Sequence, residues 1–571
     1  MEHIICHNLI SFLPLSQEEY ILHTPEDGTA LDVRALIDKR NRVGCKYIVI
    51  ACDNKYALKT FAGVRGEHGG FFEEFHREDA EGKAAYSKAE LIRLLEENHI
   101  TEYEFFYPYP NYQLPLAIYS DAYLPKVGEL TNNLRNFQVD RAMLFDETAA
   151  WDHVIRDGLF TTFTNSFLLV IGPDVVWPNG EVIFTKFSND RNPMYNIRTD
   201  IVMEDVDMAV VKQAMNADAI SHIKNLQTNY EKLKTAYPQL AFDHCELQGD
   251  AARLEYLHGK TLDEILLGLL HNGDREGFLA MVKEYIQRVS TNLKTNVIDV
   301  DMIFKNIIVS DDGLWTVLDY EWTFDKAAGE DNFVRQLSVE FVIYRALYYF
   351  IVDNRLKEEE AQELYQLMAL SEEQRESFQN LEIQFQEYVS LGHMTLGQLY
   401  AQQGGKVYPV LERLDEQIRQ QQIMIKLRTL NGTISNVTPV YHAVMEDLHE
   451  LEIEVYEDTQ EIEVILGHCN MIADFIKVEL NGCDVRNEIM TNGYHIYKDL
   501  YLYGGANPEP QIVLPVNGTS GKLSLNVTMK SQGQFTSVTF ETLCYYLMQK
   551  DYENTFRGKI KKILKRGKNE H

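Results

Sequence analysis

No two of the seven cysteines (Cys6, Cys45, Cys52, Cys245, Cys469, Cys483 and Cys544) form a Cys-x-x-Cys pair, and their number is odd. That excludes a disulfide framework and a cysteine zinc site, and it points to reduced thiols in a cytoplasmic protein. Basic residues are scarce: 54 Lys and Arg stand against 86 Asp and Glu, a formal net charge of −32. A surface that acidic repels phosphate backbones, so no nucleic-acid partner is expected. No apolar run reaches the ~18 residues of a membrane span. The opening Met-Glu-His lacks a basic n-region, and Ile4–Leu13 is interrupted by Cys6, His7 and Asn8, so it does not read as a secretory leader. Internal repeats and low-complexity segments are also missing.

What is present is ordinary globular composition, 45% apolar and 25% charged over 571 residues, enough for three or four domains of about 150 residues. Ile4–Phe12 and Tyr47–Cys52 read as buried strands with a helix over Leu31–Lys39 between them. Ser87-Lys-Ala-Glu90 is a capping box opening a helix at Leu91–Asn98. With Tyr103–Tyr107 and Phe167–Ile171, these alternating elements predict a parallel α/β sheet. From about 180 the pattern shifts to three short strands, Val182–Phe187, Ile197–Val202 and Met208–Val211, then a helix over Asp218–Ala236 and a strand over Arg253–Leu257. Helices follow at Leu262–Leu270 and Phe278–Leu293, a hairpin turns at Asp311-Asp312-Gly313, and Phe333–Val352 is a strongly apolar helix. Leu411–Leu430 reads as a packed helix or a partial coiled coil. Beyond it, strands punctuated by Asn481-Gly482, Asn492-Gly493 and Asn517-Gly518 predict a small β-sandwich.

The strongest chemical signal is Asp301-Met-Ile-Phe-Lys-Asn306, followed by Ile307–Val309, a turn, and Val317-Leu-Asp319. Phosphoryl transfer needs a carboxylate to orient the acceptor hydroxyl and oxygen ligands for the magnesium that neutralises the phosphates. The set resembles the catalytic loop and metal-binding Asp of the protein-kinase-like superfamily. The resemblance makes Asp301 the base and Asn306 and Asp319 the metal ligands, with ATP and Mg2+ as cofactors. Asp319 is followed by Tyr320-Glu321 instead of Phe-Gly, and Asp299 stands where His is usual; both departures count against a protein substrate. Taken as bare residues, the same carboxylates also fit surface turns. Upstream, Lys212 ends a strand and resembles the lysine that holds the α- and β-phosphates; Glu231, 19 positions on, is the glutamate chosen as its partner. Leu254-Glu255-Tyr256-Leu257 followed by Gly259 looks like the adenine-binding hinge, with Glu255 and Leu257 as its contacts. A Gly-rich loop is missing. Phe187–Pro193 stands in its place, with Ser188 and Asn189 as phosphate donors or simply as a polar hairpin loop.

Residues 46–175 resemble the second half of a class I S-adenosylmethionine (SAM)-dependent methyltransferase. The resemblance rests on Tyr47–Gly63, Phe105-Phe-Tyr-Pro-Tyr-Pro-Asn-Tyr112, Ile118-Tyr-Ser-Asp121 and Tyr123-Leu-Pro125. In the next domain it extends to Asn306–Val309, Asp319-Tyr-Glu-Trp-Thr-Phe324 and Tyr344–Phe350, so it covers about residues 1–350. The subfamily belongs to bacterial surface-polysaccharide clusters, and its architecture is that of the bifunctional kinase–methyltransferases that cap O-antigen chains. The Gly-rich turn and the ribose-binding acid of such a fold are not in this sequence, which begins at what would be the fourth strand, so SAM is expected only where roughly a hundred preceding residues are restored.

The expected fold is therefore multidomain α/β and α+β. A partial Rossmann-like methyltransferase sheet occupies 1–178, a bilobal protein-kinase-like domain 179–400, a helical linker or partial coiled coil 401–445, a β-sandwich 446–549 and a basic amphipathic tail 550–571. The resemblance implies an ATP-dependent phosphotransferase acting on a sugar hydroxyl of a surface polysaccharide, coupled in the complete form to methylation. Its partners would be a glycan or lipid-linked saccharide acceptor and a glycosyltransferase. In the tail, Phe556, Ile560, Ile563 and Leu564 line one helical face among seven basic residues, which fits peripheral contact through 551–571 with the inner face of the cell membrane or a solvated tail. Two competing readings are a non-catalytic scaffold built from a pseudokinase and a degraded methyltransferase, and a carbohydrate-binding role for the sandwich through Tyr494, Tyr497, Tyr501 and Tyr503.

Overall fold

A computed structural model describes residues 9, 11–24, 31–66, 70–76, 85–130, 141–175, 177, 180–204, 207–327, 332–392, 398, 407–420, 422–444, 448–503 and 509–531. The chain divides into two compact units, Met1–Tyr408 and Pro409–His571.

The first unit is organised by one mixed sheet. Its strands are β1 (Tyr20–His23), β2 (Tyr47–Asn54), β3 (Ala85–Tyr86), β4 (Tyr103–Tyr109), β5 (Ala117–Ser120), β6 (Ser166–Ile171), β7 (Glu181–Phe187), β8 (Ile197–Glu204), β9 (Asp207–Ala214), β10 (Cys245–Gln248) and β11 (Ala251–Glu255). They lie in the order β1-β2-β6-β4-β5-β7-β8-β9-β11-β10, with β3 beside β2. Only β1–β2 and β2–β3 pair in parallel; every other pairing is antiparallel. The predicted parallel sheet is thus confined to one edge. Strand–helix alternation cannot distinguish a parallel crossover from a hairpin whose strands are inserted between earlier ones.

The apolar runs at Tyr47–Cys52 and Phe167–Ile171 are strands buried on both faces. In β2, Ile48, Ile50 and Cys52 join one core while Tyr47, Val49 and Ala51 join the other; in β6, Phe167, Leu169 and Ile171 oppose Leu168 and Val170 in the same way. Successive side chains point to opposite faces, so such a run needs cover on both. Helix α1 (Val33–Val43), capped by Asp32, and helix α2 (Lys88–Glu97), opened by the expected capping box at Ser87 and Glu90, cover one face with Val33, Leu36, Leu91 and Leu95. Leu9, Phe12 and Leu13 help cover the other. Leu9, Ser11 and Phe12 are helical, which corrects the strand expected over Ile4–Phe12; the rest of that segment up to Leu13, except Leu13 itself, lies outside the described residues.

The expected domain boundary at 178 does not part the sheet. β5 pairs with β7 through Ala117 to Lys186, Ile118 to Thr185 and Tyr119 to Phe184, so both predicted domains share one continuous ladder. Beyond it, helix α3 (Ile220–Ala236) packs on β9 to β11, and helices α4 (Leu262–His271), α5 (Arg275–Val289), α6 (Val339–Asp353) and α7 (Glu372–Ser390) build a third core with the hairpin of β12 (Ile307–Val309) and β13 (Trp315–Val317). The apolar helix expected over Phe333–Val352 is two helices, because Ser338 caps a new one by accepting from Phe341 N–H.

The second unit is a β-sandwich with its own core. It starts earlier than expected: the helix at Val410–Gln420 ends, and Met424–Thr429 is already a strand whose Ile425 and Leu427 are buried. This corrects both the linker over 401–445 and the coiled-coil option, since residues spaced for a helical stripe at 411–418 give way to period-two burial at 425 and 427. Of the four tyrosines offered for sugar stacking, Tyr503 is buried with its hydroxyl 2.8 Å from Thr491 Oγ1, Tyr494 and Tyr501 are half-buried, and Tyr497 alone is exposed. The basic tail lies outside the described residues, and among the described residues no helix is long and apolar enough to cross a membrane.

Candidate active site

Three apolar side chains anchor the loop from Asp299 to Asn306. Val300, Met302 and Phe304 are buried. Phe304 packs edge-on against Tyr285 with centroids 4.8 Å apart, and the Tyr285 hydroxyl donates to Met302 O at 2.8 Å. The candidate residues Asp301 and Asn306 flank these anchors. Asn306 Nδ2 donates to Asp301 O at 3.0 Å, and Leu318 N–H donates to Asn306 O at 2.7 Å, tying the loop to the segment that carries Asp319. Asp301 is held by Arg345 of α6, whose Nη1 lies 2.5 Å from Asp301 Oδ1 and 2.7 Å from Val300 O; Arg345 Nε in turn donates to Glu382 of α7 at 2.7 Å. A charged, multiply bonded arginine of this kind fixes the direction in which the carboxylate points. Asp299 is fully buried, accepts from Asp301 N–H at 3.1 Å and, among the described residues, keeps Oδ2 without a hydrogen-bond partner. Burial first, and then the Asp301 charge, drive its carboxyl well above the usual range.

Lys212 arrives from β9, where alternation turns Val211 into one core and Lys212 toward the cleft. Its ammonium bonds both Asp319 Oδ1 and Glu321 Oε1. Asp319 takes a left-handed backbone (φ 54°), a conformation that Asp tolerates better than most residues. Tyr320 between the two carboxylates is buried and donates its hydroxyl to Asp243 O at 2.6 Å, so Asp319 and Glu321 emerge on the same side. Arg191, from the β7–β8 loop, places Nη1 2.5 Å from Glu321 Oε2, and His222 of α3 lies 3.5 Å from the same oxygen. Burial works against the Glu321 charge, but Arg191 and Lys212 overcome it and hold Glu321 well below the usual carboxylate range. Asp319 goes the other way: desolvation and the Glu321 charge raise it against the pull of Lys212, while 39% of its side chain still meets solvent.

Lys212, Asp301, Asn306 and Asp319 are therefore brought together, and Glu231 is not. Glu231 is exposed and lines an open groove with Thr228, Lys232 and Val297. The carboxylate that meets Lys212 is Glu321, and α3 turns His222 and Asn229 toward it; Asn229 Nδ2 donates to Tyr320 O at 3.2 Å. This corrects the expected partner. Spacing along a helix could not locate it, whereas the two-residue step from Asp319 to Glu321 was a readable signal. At the expected hinge, Glu255 N–H is taken by Asp243 Oδ1 at 3.2 Å, while Leu257 N–H donates to no group among the described residues. Gly259 (φ 148°) closes that turn where a Cβ would stand 2.8 Å from both Val309 O and Ile308 Cγ2. Of the expected phosphate donors, Asn189 spends its amide on Pro115 O at 3.0 Å.

Among the described residues, no group of three or more His, Cys, Asp or Glu forms a ready-made metal cage. Magnesium in a phosphotransferase needs none, because one or two protein oxygens with phosphates and water complete its shell. Asp319 and Asn306 fit that requirement. A comparison of the sequence with protein-family models and with curated proteins finds no match.

Proposed function

We propose that the chain is an ATP-dependent phosphotransferase acting on a sugar hydroxyl of a bacterial surface polysaccharide, working at the inner face of the membrane. The observation that carries this reading is the convergence of Lys212 from the sheet with Asp319, beside a loop that aims Asp301 and Asn306. The strand order β7-β8-β9-β11-β10, with α3 between β9 and β10 and the hinge after β11, is the arrangement that a protein-kinase-like small lobe would have. Bound ATP with magnesium would supply the phosphoryl group. Lys212 would hold phosphate, Asn306 and Asp319 the metal, and Leu257 N–H the base edge. Asp301, oriented by Arg345, takes the proton of the acceptor hydroxyl as that oxygen becomes the nucleophile.

The methyltransferase half supports no derived step. Parallel β1 and β2 at one edge fit the fourth and fifth strands of such a sheet, but the Gly-rich turn and ribose-binding acid that would hold SAM are not among these residues. One observation favours the scaffold reading: Lys212 and Arg191 are already charge-balanced by Glu321 and Asp319 in this structure. Calorimetric titration with ATP, with and without magnesium, separates the two. Magnesium-dependent binding that disappears in Asp319→Asn supports the phosphotransferase; no binding by the parent chain supports the scaffold.

A further inference from the structure

The β7–β8 loop stands where a kinase-like fold cradles phosphates with backbone N–H groups, yet residues 188–196, Ser-Asn-Asp-Arg-Asn-Pro-Met-Tyr-Asn, include no glycine. Close backbone approach to a phosphate is thereby restricted. The loop is also pinned from both ends. Asn189 Nδ2 donates to Pro115 O, and Asn192 N–H donates to Val389 O of α7 at 3.1 Å. The Tyr195 ring packs on Trp322 with centroids 4.9 Å apart and on His222 at 5.2 Å. This framework delivers one side chain to the centre of the site. The Arg191 guanidinium lies 5.3 Å over the Trp322 ring and bonds Glu321 on the side opposite Lys212.

We propose that Arg191 is a phosphate-binding residue, supplying from a side chain what the absent glycine loop would supply from the backbone; this rests on the phosphotransferase reading above. Arg191 and Lys212 are balanced in this structure by Glu321 and Asp319. A magnesium ion that took Asp319 would leave two cations against one carboxylate, and the β- and γ-phosphates of a nucleoside triphosphate restore the balance. Among the described residues, Arg191 uses one of its guanidinium donors, toward Glu321, so the planar fork keeps donors for two phosphate oxygens while Trp322 fixes its plane.

The test is calorimetry on the full chain with MgATP, MgADP and adenosine. Arg191→Ala is expected to weaken MgATP at least tenfold, MgADP less, and adenosine not at all; Arg191→Lys is expected between Ala and the parent for MgATP. Unchanged adenosine affinity is the readout that a merely structural role for the loop would not leave intact. The assignment is overturned if Arg191→Ala binds MgATP within twofold of the parent, or if adenosine weakens in proportion. A parent chain that binds no ATP with magnesium fails the phosphotransferase reading itself, an outcome distinct from a parent that binds and a variant that matches it.

Discussion

Replacing Glu321 by Ala separates the carboxylate that the fold places beside Lys212 from the one that helical spacing proposed. Glu321 has a side chain 2% exposed and bonds Arg191 and Lys212. Removing one partner of a buried ion pair costs about 3–5 kcal/mol, because the other charge is left uncompensated. Here the lower end applies: Lys212 keeps Asp319, and Arg191, 21% exposed, can turn toward water. About 3 kcal/mol is therefore expected. At ~2.1 cal/mol/K per residue, a unit of this size has an unfolding entropy of about 0.9 kcal/mol/K, so its calorimetric transition should fall by about 3–4 °C. Glu231→Ala, on an exposed helix face, should stay within about 0.5 kcal/mol of the parent. Because Glu321 is held well below its unfolded value, its contribution is fully present above that value and is lost as pH falls through the lower folded one. The Glu321→Ala deficit should thus be constant between about pH 7 and 5 and shrink below about pH 4. Equal shifts for the two variants, or a larger one for Glu231→Ala, would refute the assignment of Glu321 as the lysine's partner.

Four further outcomes are expected. Asp301→Asn should leave MgATP affinity within twofold and lower phosphate transfer to a lipid-linked saccharide by about 10²–10⁴, as loss of a general base does; transfer at the parent rate shows that Asp301 is not the base. Asp243, 5% exposed, is raised to about 7 by burial, with Glu255 N–H opposing and the Glu255 charge adding. Its folded value lies above its unfolded one, so the parent loses stability as pH rises from about 4 to 7, by up to roughly 4 kcal/mol. Asp243→Asn should therefore gain on the parent across that window in melting profiles, and parallel profiles rule this out. The chain by itself should show no SAM binding in calorimetry, and micromolar binding would show a cofactor site the present residues do not reveal. Removing 551–571 should reduce sedimentation with anionic vesicles at low salt; equal pelleting with and without the segment excludes it as an anchor.

Local order along the chain determined much of this protein. The capping box at Ser87, the double-faced runs at Tyr47–Cys52 and Phe167–Ile171, and the turn at Asn481-Gly482 each depend on neighbouring residues, and each folds as read. The placement of Asp301, Asn306 and Asp319 around one hairpin was legible too, because it depends on a short spacing. Long-range pairing decided the rest. Whether β6 inserts between β2 and β4, and whether β5 joins β7 to make one sheet across the expected boundary, is settled by which faces can be buried together, a balance no local window contains. The helix expected to run to Leu430 became a strand at Met424 for the same reason, since Ile425 and Leu427 gain a sandwich core there. Glu321, Arg191 and His222 converge on one point from segments up to 130 residues apart. Charge pairing of that kind is specific in space and leaves almost no trace in sequence order, which is why Glu231 could be read as the lysine's partner and only the folded chain could replace it.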